Sequence, residues 1–135
     1  MGGPQDAVRV LHVDDEPDVL EVTGQLVELN HDGLTVESVR SIDRALDRLD
    51  EVDCIVADYV MPGMDGAEFL DRVRSGRPDL PVVFFTGRGA DELDEAALGA
   101  DLTAHVQKGV NAGQYEILGE HIASLVETSR GATPQ

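Results

Sequence analysis

A chain of 135 residues fits one domain with a substantial core. Twenty-seven acids face nine arginines and one lysine, a formal net charge of -17. That balance argues against direct nucleic-acid binding and against docking on an anionic membrane, since both need a basic face. No apolar run reaches membrane-spanning length, no secretory leader opens the chain, and the single cysteine, Cys54, allows no intramolecular disulfide. A soluble cytoplasmic protein is expected. Acid-rich, lysine-poor surfaces resemble those of proteins from extreme halophiles, where molar salt screens self-repulsion.

Residues 1–7 are polar and read as a frayed terminus. Val8 to Val13 is the first predicted strand, with His12 a core histidine rather than a ligand. Asp14-Asp15-Glu16-Pro17 ends it and opens a helix, with Asp15 as the expected N-cap and Pro17 in the first turn. Val19, Leu20, Val22, Thr23, Leu26, Val27 and Leu29 form that helix's stripe, which Asn30-His31-Asp32-Gly33 stops. Leu34 to Val39 alternates, as a strand near a sheet edge does. Ser41 is placed to cap a second helix with Ile42, Ala45, Leu46 and Leu49 inward. Cys54 to Ala57 is a short apolar strand, with Cys54 an inert core thiol. Asp58 falls where this strand ends, and the turn dipeptides Pro62-Gly63 and Asp65-Gly66 follow at once. A third helix runs from about Gly66 to Arg74, and Gly76 and Pro78 break it. Leu80 to Thr86 is the fourth strand, about Ala90 to Leu98 the fourth helix, and about Leu102 to Gln107 the fifth strand. Lys108-Gly109 follows. The fifth helix carries Tyr115, Ile117, Leu118, Ile122, Leu125 and Val126, and a polar tail ends the chain.

Strand and helix thus alternate five times. The pattern implies one α/β domain, a doubly wound parallel sheet with helices on both faces. The first, third and fourth strands are the most apolar and should be central, which fits the flavodoxin-like order 2-1-3-4-5.

In that order the carboxyl ends of the strands lie side by side. They carry Asp14 and Asp15, Asp58, Thr86 and Lys108. Three carboxylates that close repel one another. A hard divalent cation relieves this, and Mg²⁺ takes oxygen ligands while keeping several waters. One carboxylate left as nucleophile, with metal, lysine and a hydroxyl to neutralise and position a phosphoryl group, suits phosphoryl transfer. Each residue alone has a plainer reading. Adjacent acids recur at Asp50-Glu51, Asp91-Glu92 and Asp94-Glu95, and Thr86 is an ordinary strand end. Lys108 is harder to set aside: a composition that has otherwise dispensed with lysine keeps one, opposite the acids.

Across residues 8–128 the sequence resembles the receiver domains of two-component response regulators. The matching motifs are Val13-Asp14-Asp15-Glu16-Pro17, the run from Asp58 to Gly66, Phe85-Thr86-Gly87 and Gln107-Lys108. The resemblance implies that Asp58 is the phosphoacceptor for a kinase phosphohistidine. It implies Mg²⁺ held by Asp15, Asp58 and the Val60 backbone carbonyl, with Asp14 acting through metal-bound water. Thr86 and Lys108 would contact phosphoryl oxygens. Gly109 stands where the family has Pro, His105 where its switch aromatic stands, and Gly87 where Ala is common. The variants around Thr86 and Lys108 resemble receivers attached to sensor kinases in halophilic archaea, in keeping with the charge.

The implied partners are a sensor histidine kinase or phosphotransfer protein and a downstream effector. A partner or homodimer surface is expected on the fourth helix, fifth strand and fifth helix, coupled to the site through Thr86 and His105. Two other classes compete. A Mg²⁺-dependent phosphatase with an aspartyl nucleophile would want a second acid two residues after Asp58, where Val60 stands. A flavodoxin-like binding module would favour a phosphate-cradling loop over acidic strand ends. The domain is therefore expected to catalyse only its own phosphorylation and dephosphorylation, with 1–7 and 129–135 as flexible ends.

Overall fold

The computed structural model describes residues 8–31, 33–58, 60–61, 64–86, 103–107 and 113–131. In chain order these form β1 (Val8–Val13), α1 (Pro17–Asn30), β2 (Leu34–Val39), α2 (Ile42–Leu46) and a 3-10 turn at Leu49–Glu51. Then come β3 (Cys54–Ala57), β4 (Val60–Met61), β5 (Met64–Asp65), α3 (Gly66–Gly76), β6 (Val82–Thr86), β7 (Thr103–Gln107) and α4 (Gly113–Gly131). The fourth helix expected from sequence lies outside the described residues, so α4 is the fifth of that reading.

The apolar strands take the middle of the sheet, because only there are both faces covered. The parallel order is β2-β1-β3-β6-β7, as the sequence implies. Successive strand residues alternate between two core layers. Leu11, Val13, Ile55, Ala57, Val82 and Phe84 turn to a layer closed by Ala45, Phe69 and Val73 of α2 and α3. Val8, Val10, Cys54, Val56, Val83 and Phe85 turn to one closed by Val27 of α1 and by Leu118, Ile122 and Val126 of α4. Each fully buried aliphatic or aromatic side chain contributes roughly 1.5–3 kcal/mol of transfer free energy. A one-residue slip of a central strand would exchange the two layers, so register is strongly held.

Several local expectations are corrected. The N-cap of α1 is Glu16, not Asp15, and no side chain caps it. The turn is closed instead by Asp14, whose Oδ1 accepts a hydrogen bond from the Glu16 N–H at 3.0 Å. Along α1, Leu20, Thr23 and Val27 are buried, but Val22 and Leu29 are 44% and 79% exposed. The buried residues stand at i, i+3 and i+7 and fill the face toward the sheet, and the 100° step carries 22 and 29 outward. Ser41 does cap α2, accepting from the Arg44 N–H at 3.2 Å, but that helix ends after five residues. The last helix reaches Gly131, three residues into the expected tail, and Ser129 Oγ donates to the Asp79 carbonyl at 2.7 Å.

Candidate functional site

Register decides what meets at the carboxyl edge of the sheet. Val13 stands opposite Val39 on one side and Ala57 on the other, and Ala57 stands opposite Phe84. Asp14 and Asp58 are therefore the first residues past two adjacent central strands, at one level. The ladder runs one step beyond the strands: Asp58 N–H donates to Val13 O and Asp14 N–H to Val39 O, each at 3.3 Å. Both acids are thus positioned by sheet backbone.

The carboxylates differ in environment. Asp14 is fully buried, and burial of a carboxylate is costly without hydrogen-bond donors. The Glu16 N–H supplies one. Asp15, next in the chain, is exposed, and Asp58 is half-buried. The site thus has a buried acid held in a turn, an acid open to solvent and a half-open acid on the neighbouring strand. Among the described residues no three His, Cys, Asp or Glu side chains close on a single point.

Past Asp58 the backbone enters the β4–β5 hairpin, in which Val60 pairs with Asp65 and Met61 with Met64. This pairing fixes the backbone at Val60, whose carbonyl is a candidate oxygen ligand. From its turn dipeptides the segment is expected to be a loop. The short antiparallel pairing of Val60-Met61 with Met64-Asp65 was not read from the sequence.

Thr86 is the last residue of β6 and stands opposite Gln107, so Lys108 is next in the chain after that pair. Lys108 itself lies outside the described residues, as does Tyr59. His105 stands opposite Phe84, two positions before the Thr86–Gln107 pair. The structure thus brings Asp14, Asp15 and Asp58 to one edge and ends the neighbouring strand there with Thr86. Cys54 takes no part: it is fully buried in β3, and burial pushes its thiol far above the ordinary range, so the nucleophilic thiolate does not form.

Residues 10–117 match the family model of the response regulator receiver domain. The response regulator MprA of Mycobacterium ulcerans (strain Agy99) is 35% identical over 105 residues, covering 73% of this chain and 41% of that protein. The chain thus spans about two fifths of that relative's length. Among solved structures, a CheY-like receiver domain protein from Methanospirillum hungatei JF-1 superposes with a TM-score of 0.78 at 26% identity, covering 94% of this chain and 99% of that one. A chain from the complex of histidine kinase ThkA with response regulator protein TrrA does so with a TM-score of 0.71 at 27% identity, covering 87% and 97%. The family match runs from β1 into α4 and takes in the sheet and the acids at its carboxyl edge, and the chain belongs to the response regulator receiver domain family of two-component signalling.

Proposed function

We propose that Asp58 is the phosphoacceptor and that the domain is a switch rather than an enzyme acting on other molecules. The observation that carries this is the pair of backbone bonds placing Asp58 and Asp14 at one level of adjacent central strands, with Asp58 half-open to a donor. An Asp58 carboxylate oxygen attacks phosphorus in line. The new bond is O–P, the phosphohistidine P–N bond breaks, and its electron pair leaves with the donor imidazole. The acceptor carboxylate and the phosphoryl group are both anionic, so positioning and charge neutralisation do most of the work.

The donors at this edge are all oxygen: the carboxylates of Asp14, Asp15 and Asp58 and the Val60 carbonyl. Such a set suits Mg²⁺, an ion that takes few protein oxygens and keeps several waters. Bound there, the ion would neutralise charge on the acids and on the transferring group. Asp15 and Asp58 would ligate it with Val60, and Asp14, held by the Glu16 N–H, would act through a water. Thr86 donates its hydroxyl to a phosphoryl oxygen, and Lys108 supplies a cation to another. Thr86 and His105 then carry the change to a partner surface that includes β7 and α4. The donor is a histidine kinase or a phosphotransfer protein, and the receiver of the signal is an effector, attached or separate.

Peptide mapping after phosphorylation of the full chain by acetyl phosphate tests the assignment. The label is expected on the peptide that holds Asp58 and should be released by hydroxylamine, as an acyl phosphate is. Label on Asp14, Asp15 or a histidine would overturn it. The switch has its own readout: a beryllofluoride mimic should move the His105 resonances, and Thr86→Ala should abolish that movement without blocking phosphorylation.

A further inference from the structure

Val22 and Leu29 are large apolar side chains left open to solvent. They stand seven residues apart on α1, so they share one row along its outer face. Glu21 and Glu28 repeat that spacing one helical step behind and form an exposed acidic row on one flank. On the other flank α1 meets α4. His31, at the end of α1, lies 3.2 Å from the Glu116 carbonyl and against Gly119. Glu116, Glu120 and Glu127, at i, i+4 and i+11, form a second exposed acidic row that adjoins this contact.

These acids have no cation of their own. None of the five makes an ion pair among the described residues, whereas Glu37, Glu51 and Asp79 are all bridged by arginine. α1 contains no lysine or arginine, and α4 contains only Arg130, in its last turn. The other arginines of the described residues are Arg9 on β1 and the group from Arg40 to Arg77. Charge is thus distributed unevenly, and the apolar row lies between two lines of acid that the chain itself does not neutralise.

We propose that this α1–α4 face docks a cationic amphipathic helix of a partner protein. Its apolar residues would cover Val22 and Leu29, and its lysine or arginine side chains would meet Glu21 and Glu28 on one flank and Glu116 and Glu120 on the other. Apolar anchors at helical spacing with complementary charge at the rim are what such a helix recognises. A second copy of this chain does not fit, because it would set acid against acid on both flanks. Leu29 lies twelve residues along α1 from Pro17, about 18 Å at the rise of an α-helix. The row therefore leads away from the carboxyl edge where Asp58 stands, and the proposal does not rest on the phosphoacceptor assignment.

Calorimetric titration of the full chain tests it, at one KCl concentration in which circular dichroism shows every variant folded. The probe is a synthetic amphipathic helix of leucine and lysine, and the control is a peptide of the same composition with its leucines dispersed around the helix. The probe should bind and the control should bind far more weakly. Val22→Ser with Leu29→Ser should weaken probe binding roughly tenfold, as loss of apolar anchors does. Glu116→Gln with Glu120→Gln should weaken it severalfold. Asp50→Asn with Asp71→Asn removes the same charge from the other side of the sheet and should leave it unchanged. If the double serine variant does not fold, Leu29→Ser, at the more exposed position, carries the test. Equal binding of the two peptides, or equal weakening by the two charge-removing pairs, would reduce the effect to overall charge and overturn the proposal. Self-association of wild type that Leu29→Ser abolishes would give the row to a second copy and overturn it as well.

Discussion

Asp14 and Asp15 are neighbours with opposite fates, and the difference shows how one hydrogen bond sorts acids into roles. Asp14 is buried with its carboxylate turned to the Glu16 N–H, while Asp15 is left to solvent. The sequence showed where the acids stand, because apolar strands end abruptly at Val13 and Ala57. It did not show which acid closes the turn: Asp at i and a backbone N–H at i+2 compete with an N-cap reading of the same residues, and both use one side-chain oxygen. Thr23 is the buried polar residue of α1, 2% exposed, and its Oγ1 has no hydrogen-bond partner among the described residues. Burying an unpaired hydroxyl costs free energy that an apolar isostere avoids. Thr23→Val should therefore stabilise the fold by about 1 kcal/mol in urea denaturation; a loss of that size would show that the hydroxyl is satisfied.

At the scale of elements, the five-stranded order was legible because strand hydrophobicity ranks strands from centre to edge. Contacts between elements were not. His31, at the end of α1, reaches α4: its Nε2 lies 3.2 Å from the Glu116 carbonyl, and a Cβ built on Gly119 would fall on its imidazole. Nothing local in Leu118-Gly119-Glu120 announces a notch cut for a residue at the end of another helix. The consequence is measurable as a coupling. Gly→Ala in a helix interior ordinarily stabilises by about 1 kcal/mol through backbone propensity. For Gly119→Ala in wild type that gain should be offset by displacement of His31, and in His31→Ala it should reappear. A double-mutant cycle by denaturant melts is expected to give a coupling of about 1 kcal/mol; simple additivity would show that the two residues do not meet. The short α2 was equally hidden. Ile42, Ala45 and Leu49 keep a helical spacing through a segment that ends as a helix at Leu46 and resumes as a 3-10 turn.

For the whole molecule the governing fact is charge. Twenty-seven acids and ten basic residues leave -17 on one domain, and the ion pairs among the described residues sit at or near the surface. Arg48 bridges Glu37 and Glu51, and Arg9 stands 3.7 Å from Glu37. Exposed pairs are each worth roughly 0–1 kcal/mol, too little to offset repulsion of this extent. Stability should therefore rise with KCl as screening shortens the range of repulsion, and circular dichroism melts that coincide in dilute buffer and molar salt would contradict this. Mg²⁺ should add to it at constant ionic strength. At ten times its Kd the gain from mass action is roughly 1.4 kcal/mol, and Asp15→Ala should lose it; a midpoint indifferent to Mg²⁺ would count against a metal at this edge. The central claim, that Asp58 is the phosphoacceptor, is tested most directly by the intact mass of the chain after incubation with acetyl phosphate and Mg²⁺. Wild type should gain the mass of one phosphoryl group, only when Mg²⁺ is present, and Asp58→Asn should gain none. Equal phosphorylation of Asp58→Asn and wild type would contradict the account.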